Sequence, residues 1–434
     1  MKKLTSIATA AAGLIAATGA MAQSTLTLYG LVDGGINYVS GLKNGSSTAL
    51  ASGIMEGSRW GLKGNEDMGG GFKGLFTLES RVEIDTGANS NRPVSYPQLP
   101  DRLSTAAGLG LSALPLPAAT KTALINGVNS SLANEAYGVN VGALGNRVFD
   151  RQAYVGLITP VGQITAGRQY TPAYLVGGMF DATQTQSSLA LGQVSPLPAA
   201  FDIRLSNTLQ YAIQTGGITA ALMYGAGEIA GNNSAGRFIG AMVVYKGDGF
   251  SVGFAHNGRN NELNQKSLEN NVLGATFDVG PGTVYGQYAT IKNENPAGLS
   301  TIGATVLGQL AAGGVPAPTA ATAGAAYQAA YNTAFKQDAT LMQIGYKFTS
   351  GVHTVVTAYN RLDDKQAINA DTSSYGATYT YALSKRTNLN LVLVRFVNSG
   401  TGQAAPGGNG FLGGVTSEAG ADSTNVALGI RHSF

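Results

Sequence analysis

Short segments in which apolar and polar side chains alternate recur along almost the whole chain. In the last of them, 425–434, one face carries Val426, Leu428, Ile430, His432 and Phe434, and the other carries Asn425, Ala427, Gly429, Arg431 and Ser433. Alternation with period two is typical of β-strands whose two faces meet different surroundings. In lipid, only a closed sheet satisfies every backbone hydrogen-bonding group of such strands. The pattern therefore predicts an all-β, antiparallel transmembrane β-barrel, in which the final strand pairs with the first, 24–38.

The composition agrees with a membrane barrel and excludes several other classes. Hydrophobic residues make up 44% of the chain and charged residues 12%, yet no segment after the N-terminus approaches the roughly 20 unbroken apolar residues of a spanning helix. Cysteine is absent, and 27 basic residues nearly balance 24 acidic ones. We therefore expect no disulfides and no nucleic-acid partner. No spacing of residues indicates a cofactor or a metal site.

The connectors between the alternating segments fall into two kinds. Seven are tight, and all but the last contain Gly or Pro, which favour hairpin turns: 65–71, 160–162, 214–217, 247–249, 280–282, 350–351 and 384–386. Eight are longer: 39–54, 86–147, 171–201, 229–236, 260–269, 294–337, 363–371 and 399–422. Together they join sixteen strands, with short periplasmic turns on one side and long external loops on the other. Within 301–335, a short helix and an irregular loop both remain open.

The N-terminus resembles an export signal. Lys2 and Lys3 precede the uncharged stretch 4–20, and Ala20-Met21-Ala22 has the form of a cleavage site. We expect a signal peptide at 1–22 and a barrel domain at 23–434. An uncleaved membrane helix is the alternative, but the apolar stretch is short and is interrupted by Thr and Gly.

Strand parity assigns charged residues to the inner face. Because Trp60, Leu62, Phe76 and Leu78 face outward, the inward set is Asp33, Arg59, Lys63, Glu79, Arg81 and Glu83. An Arg on the lipid face near the midplane costs about 2–4 kcal/mol, whereas an Arg facing a water-filled lumen sets an electric field. The alternative is that some of these cations only balance carboxylates, as Lys63 would with Glu66 and Asp67.

Five stretches carry a resemblance to a known family. They are Ser24-Thr-Leu-Thr-Leu-Tyr-Gly30, Ser58-Arg-Trp-Gly-Leu-Lys-Gly64, Phe149-Asp-Arg-Gln-Ala-Tyr-Val-Gly-Leu157, Gly167-Arg-Gln-Tyr-Thr-Pro172 and Gly429-Ile-Arg-His-Ser-Phe434. The chain resembles the general porins of β-proteobacteria over its whole mature length. The resemblance implies a homotrimer of sixteen-stranded outer-membrane barrels, in contact with lipids and lipopolysaccharide, that pass small hydrophilic solutes and inorganic ions.

The resemblance also implies a constriction formed by a third external loop, 171–200, that folds into the lumen. By position, Arg59 and Arg151 belong to a wall cluster of arginines, and Arg168 lies behind the loop and anchors it. Strand alternation adds Arg81 and Arg204 to the lumen. The loop itself carries few acids, Asp181 and, near its end, Asp202. We therefore expect a pore with a mild preference for anions. The long connector 86–147 departs from the family pattern, and folding over the mouth or over a neighbouring subunit both remain open.

Other functions are less well supported. Gly249-Phe-Ser-Val-Gly253 has the spacing of a hydrolase elbow but follows a turn and runs into a strand, so we expect no enzyme. Asp363, Asp364 and Asp371 share one loop, which is either a weak cation site or a solvated acidic loop. The alternatives to a general diffusion porin are a substrate-selective channel and a barrel that acts as an adhesin or receptor through its long loops.

Overall fold

The computed structural model describes residues 25–89, 98–105, 116–137, 147–195, 202–407 and 414–434. The expected signal peptide, 1–22, lies outside these residues. The strands are β1 (Thr25–Leu42), β2 (Gly45–Ser52), β3 (Arg59–Gly69), β4 (Phe72–Arg81), β5 (Gln152–Thr159), β6 (Gly162–Tyr170), β7 (Arg204–Thr215), β8 (Ile218–Gly225), β9 (Phe238–Lys246), β10 (Phe250–Asn260), β11 (Lys266–Val279), β12 (Gly282–Asn293), β13 (Gln337–Ser350), β14 (His353–Asp364), β15 (Thr372–Ala382), β16 (Thr387–Asn398), β17 (Ala404–Ala405), β18 (Gly414–Val415) and β19 (Ser423–Ser433). The helices are α1 (Ala118–Tyr137), α2 (Pro172–Phe180), α3 (Ile302–Ala312) and α4 (Ala317–Ala334), with a 3₁₀ turn at Leu191–Val194.

The strands form one closed antiparallel barrel. Consecutive barrel strands pair with one another, and β16 pairs with β19, while β17 and β18 form a separate two-stranded sheet. β19 also pairs with β1 over Val39↔Asn425 to Leu31↔Ser433. The backbones of Gly30 and Phe434 extend this seam with two hydrogen bonds of 3.0 and 3.2 Å. β2 and β3 both pair with β1, so together they make the second barrel strand. Among the described residues the barrel thus has sixteen strands, which confirms the predicted fold class.

The first predicted loop, 39–54, is wrong. β1 continues to Leu42, only Lys43 and Asn44 form the turn, and β2 runs back to Ser52. The segment Gly-Ser-Ser-Thr-Ala-Leu-Ala-Ser of β2 is almost entirely small and polar, and on its outer face only Leu50 is a large apolar residue. Its strand character therefore comes from pairing with β1 rather than from its own pattern. The real irregularity is the break 53–58 between β2 and β3.

The seven tight turns lie where the sequence predicts them. In the β7–β8 hairpin, Gly216 and Gly217 adopt φ of 53° and 82°, a region that side chains with a Cβ rarely enter. At the first of these turns β3 runs on to Gly69, so the turn is shorter than the predicted 65–71.

The two faces of the barrel differ as alternation requires. Large apolar side chains such as Leu28, Val155 and Leu428 are 58–62% exposed on the outer face, where a membrane would cover them. Inner positions of the barrel strands carry small or polar side chains, among them Asp33, Gln210 and Asn390. No helix in the described ranges is long and apolar enough to cross a membrane.

The two longest connectors contain the external helices. α1 lies in the connection between β4 and β5, and α3 and α4 form a helical pair between β12 and β13. The structure thus shows that most of 301–335 is helical. These helices share an apolar cluster, and α3 packs on α4.

Candidate functional site

The described residues of the connection between β6 and β7, 171–195 and 202–203, form the inward loop, which lies against the inner wall of the barrel. α2 packs on β8 to β12, and the 3₁₀ turn packs on β13 to β15. Phe180 fits because Gly274 faces it: a Cβ at that position would lie 2.3 Å from the Phe180 ring. The third loop therefore folds into the lumen, as expected from the resemblance.

A row of amide side chains on the wall fixes the inward loop. Gln287 Nε2 donates to Gly177 O (2.7 Å), and Asn360 Nδ2 donates to Leu189 O (2.8 Å). Gln343 Oε1 accepts the Ala182 N–H at 2.7 Å. The amide row comprises Asn257, Gln287, Gln343, Asn360 and Asn425, each at most 7% exposed and each bonded to the loop. Buried polar groups with satisfied bonds favour one arrangement, so the loop has a defined position.

Asp181, the acid predicted on the loop, lies inside the loop's own turn. Its Oδ1 accepts from the N–H and hydroxyl of Thr183, and its Oδ2 accepts from the Leu191 N–H at 2.9 Å. Burial raises the pKa of Asp181, although the hydrogen bonds from Thr183, Leu191 and Gln343 oppose that rise. With only 2% of the residue exposed, this carboxylate supports the turn rather than facing solution.

Opposite charges alternate along the inner wall of the barrel, starting from the break at 53–58. Glu56 Oε2 accepts from Arg431 Nη1 at 2.6 Å, and its Oε1 accepts from Arg59 Nη2 at 3.1 Å. Arg59 Nε then lies 3.7 Å from Glu79 Oε2. Three different segments of the chain therefore meet at Glu56 and Arg59.

The sequence of contacts continues through Glu79 to the base of the inward loop. Arg151 Nε donates to Glu79 Oε1 at 2.7 Å, and Arg151 Nη2 donates to the Tyr170 oxygen at 3.1 Å. Arg204 Nη2 donates to the same oxygen at 2.7 Å, while its guanidinium lies 4.3 Å from the Tyr170 ring centroid. We name this set the arginine ladder: Arg431, Glu56, Arg59, Glu79, Arg151, Tyr170 and Arg204.

Arg81 belongs to a separate, balanced group. Its Nη1 lies 3.4 Å from Glu83 Oε1, and its Nε lies 3.8 Å from Asp150 Oδ2. All three side chains are at most 5% exposed. Two carboxylates therefore neutralise this arginine, whereas Glu79, two residues away in sequence, pairs with Arg59 and Arg151.

Asp33 sits beneath the break rather than beside the solution. Its carboxylate accepts the N–H groups of Ile54, Met55 and Glu56 at 2.9–3.0 Å, and the residue has no exposed surface. Three backbone donors on one carboxylate hold the break in a fixed shape. Asp33 thus positions Glu56 and, through it, Arg59 and Arg431.

Lys63 and Arg168 lie at the margins of the site. Lys63 Nζ lies 5.1 Å from the ring centroid of Tyr29, whose hydroxyl donates to Glu79, whereas Asp67 pairs with Lys73. Arg168 donates to Asp150 O at 2.6 Å and to Ser206 Oγ at 3.2 Å. It therefore joins the start of β7 to the end of the connector before β5.

The inward loop and the arginine ladder meet at both ends. The loop leaves the wall beside Tyr170 and Arg204, and after crossing β8 to β15 its Ser187 N–H donates to Met55 O at 2.8 Å, next to Glu56. The ladder therefore lies on the barrel wall between the two places where the described part of the loop meets it. Its four arginines outnumber its two glutamates, so the ladder carries net positive charge.

Sequence reasoning missed Glu56, Asp150 and the bridging role of Tyr170. Glu56 lies in an irregular segment where strand parity does not apply, although Gly53 and Gly57 on either side signal a broken strand. Arg431 was placed inward by parity, but its partner depended on the break. The signal for Tyr170 was only its position at the end of β6.

The other candidate sites have ordinary structural roles. Ser251 of the Gly249–Gly253 motif lies within β10, paired with Lys246 and Thr276, and is not on a turn before a helix. Asp371 accepts from Arg361 and from the Asp364 N–H, and Asp363 pairs with Lys365. In the part of the chain that the structure describes, no three His, Cys, Asp or Glu side chains are grouped as a metal site would require.

A sixteen-stranded barrel with an inward loop and a charged wall defines an outer-membrane porin. The chain matches the Gram-negative porin family over residues 8–401, and it belongs to that family. It is 26% identical over 440 residues to Outer membrane porin protein 32 of Delftia acidovorans, covering 98% of each chain. The chain is thus an outer-membrane channel for the diffusion of small solutes, and the predicted β-proteobacterial resemblance is confirmed.

Solved structures agree on the fold. The anion-selective porin from Comamonas acidovorans matches with a TM-score of 0.64 at 22% identity, covering 95% of this chain and 100% of that one. The in-vitro folded OmpT of Vibrio cholerae, in its trimer form, matches with a TM-score of 0.56 at 10% identity, covering 95% of this chain and 99% of that one.

Proposed function

We propose that the arginine ladder and the inward loop form the constriction of this channel, and that the constriction mildly prefers anions. The observation that carries the proposal is the excess of four arginines over two glutamates in the ladder, beside the described part of the inward loop. Of the loop's two acids, Asp181 is buried and Asp202 pairs with Arg259 at 3.2 Å. Fixed positive charge at a narrow, water-filled passage raises the local concentration of anions and lowers that of cations.

Each of the residues assigned from the sequence takes a different part in this proposal. Arg59, Arg151 and Arg204 supply the field, Glu79 holds two of them in place, and Lys63 adds charge beside Tyr29. Arg81 and Glu83 form the balanced group with Asp150, while Asp33, Arg168 and Asp181 fix the backbone around the passage. The name of the Comamonas relative, an anion-selective porin, supports the same direction of selectivity.

The reversal potential in a KCl gradient across a planar bilayer tests the proposal. The expected potential has the sign of anion preference, and Arg204→Gln reduces it because one positive charge is lost from the ladder. The matched control is Lys365→Gln, which removes a positive charge from an external loop, 47% exposed, and leaves the potential unchanged. A cation-preferring channel, or equal potentials for the wild type and Arg204→Gln, contradicts the assignment.

We also infer that the chain assembles as a homotrimer, after removal of residues 1–22 by the export machinery. The support is the family membership together with the trimeric form of OmpT. Single-channel recording of the purified protein checks this, since a trimer of open pores inserts as three equal conductance steps. Single steps that never group in threes speak against it, and the N-terminal sequence of the outer-membrane form checks the cleavage after Ala22.

A further inference from the structure

The two longest external loops share one apolar core. Leu103 and Leu124 of the β4–β5 connection lie in the same buried cluster as Val306, Leu310 and Tyr331 of the β12–β13 connection, each at most 8% exposed. We name the described residues 98–105, 118–137 and 299–335 the helical cap. Since a cluster of this kind excludes water from both loops, its burial stabilises their contact.

Hydrogen bonds fix how the two loops meet. Tyr331 Oη donates to Asn129 Oδ1 of α1 at 2.5 Å, and Arg102 Nη1 donates to Ala334 O at the end of α4 at 3.2 Å. Within the second loop, α3 and α4 cross where Gly303 faces Gly324: a Cβ on either would lie 2.5–2.7 Å from the other's carbonyl oxygen. The cap is therefore a packed structure with specific contacts.

The strand order shows that the cap crosses the mouth of the barrel. The first loop joins the third and fourth barrel strands, β4 and β5, and the second joins the eleventh and twelfth, β12 and β13. These positions are eight strands apart in a ring of sixteen, so the two loops start from opposite sides of the rim. They can contact one another only above the opening.

The cap also contacts the β1–β2 turn and the last external loop, and through that last loop it meets the apolar cluster of the inward loop. Asp101 pairs with Lys43 of the β1–β2 turn at 2.5 Å and with Gln403 of the last loop. In that last loop Ala404 pairs with Val415. Ala404 belongs to the apolar cluster of the inward loop and Val415 to that of the cap, so the two layers are in contact.

We propose that the helical cap is a second selective element, which limits the size of solutes at the outer mouth before they reach the charged constriction. The stretch 302–334 contains no Asp, Glu, Lys, Arg or His. Such a structure leaves the field in the channel almost unchanged, but it occupies part of the opening. The cap therefore discriminates by size, in series with a constriction that discriminates by charge.

Deletion of 302–334 separates the two effects. The deletion leaves residues 294–301 and 335–336 to connect β12 and β13, which are adjacent and antiparallel at Asn293↔Gln337. The measurement is the swelling rate of proteoliposomes in neutral sugars, from a monosaccharide to a tetrasaccharide. We expect a severalfold rise in the rates for the larger sugars relative to the monosaccharide, with no change in the KCl reversal potential. Unchanged relative rates overturn the proposal.

A pair of point variants tests the size limit imposed by the cap without shortening the chain. Leu310→Asp places a carboxylate in the apolar core of the cap, where Leu310 is 2% exposed, and Leu307→Asp places the same charge on the same helix at a site 41% exposed. We expect the larger sugars to pass faster through Leu310→Asp alone. If the two variants show the same size dependence, the proposal is overturned. This comparison remains decisive if the deletion variant fails to assemble. Because the sugars are neutral, the outcome is independent of any anion preference.

Discussion

Arg151 Nε donates a 2.7 Å hydrogen bond to Glu79 Oε1, and both side chains are at most 5% exposed. Glu79 also accepts from Tyr29 and lies 3.7 Å from Arg59, so one carboxylate compensates two guanidinium groups from different strands. Removing a buried carboxylate leaves these charges uncompensated, which costs more than the net stabilisation that an intact pair provides. The carboxylate of Glu79 therefore holds the neighbouring arginines of the ladder in place.

We expect Glu79→Gln to weaken the barrel and to strengthen its anion preference together. The loss of one negative charge leaves Arg59 and Arg151 facing each other, at a cost of about 1–3 kcal/mol in the free energy of unfolding. Denaturant unfolding in detergent measures the stability, and the reversal potential measures the selectivity. Glu66→Gln, at an exposed position near the periplasmic end of β3, is the matched control and is expected to change neither. A variant as stable as the wild type contradicts the compensating role of Glu79.

We expect Asp33→Ala to loosen the break at 53–58. The N–H groups of Ile54, Met55 and Glu56 lose their common acceptor, and unsatisfied buried donors cost about 1–3 kcal/mol. Hydrogen–deuterium exchange of 53–58 should become faster while exchange in β10 to β14 stays the same. Asp248→Ala, in the exposed β9–β10 turn, serves as the control. Unaltered protection of 53–58 would show that the break is held by other contacts.

Two glycines in the cap give opposite expectations for the same substitution. Gly324→Ala places a Cβ 2.5 Å from Gly303 O, which forces α3 and α4 apart, whereas the ideal Cβ of Gly308→Ala meets nothing within 4 Å. Alanine also favours a helix over glycine by roughly 1 kcal/mol. We expect larger sugars to pass faster through Gly324→Ala and no faster through Gly308→Ala. Proteoliposome swelling distinguishes them, and identical profiles would exclude a tight crossing at this point.

The base of the cap should loosen in acid. Partial burial raises the pKa of Glu262, but hydrogen bonds from Ser300 and from the N–H of Gly298 outweigh it and hold that pKa below its ordinary value of 4.5. A carboxyl group with a lowered pKa stabilises the fold above its ordinary value and loses that contribution as the pH falls through the lowered one.

The relative swelling rate in the larger sugars should therefore rise on acidification below that ordinary value. In Glu262→Gln, whose side chain has no charge to titrate, this rise should be smaller. The test compares the two proteins at neutral pH and at acidic pH, so that effects of other carboxylates appear in both. An equal acid response in both proteins removes Glu262 from the account.

The sequence predicted those parts of the structure that depend on local alternation. Parity alone places Arg59, Glu79 and Arg81 on one face, because neighbouring side chains in a strand point to opposite sides. It does not determine which charges pair, since the partners Arg151 and Arg431 come from segments far away in sequence. β2 was missed because small polar residues carry no alternating signal, and with it the break that contains Glu56.

The helical cap was beyond any local pattern. Its apolar core joins Leu124 to Tyr331, two residues separated by about half the chain, and each loop alone resembles a tract of small residues. Even the crossing of Gly303 and Gly324 is visible only when both helices are in place. Such contacts follow from tertiary packing, which overrides weak local preferences.

The seam between β1 and β19 determines when the barrel can close relative to synthesis of the chain. The partners of residues 31–39 are residues 425–433, so the first strand to emerge during synthesis stays unpaired on that side until the last one has been made. Pairings this distant in sequence are slow to form. Until then every unpaired strand edge invites association with another chain. Closure of the barrel can therefore be completed only after the last strand has been made, and until then the free edge of β1 has to be kept from pairing with other chains.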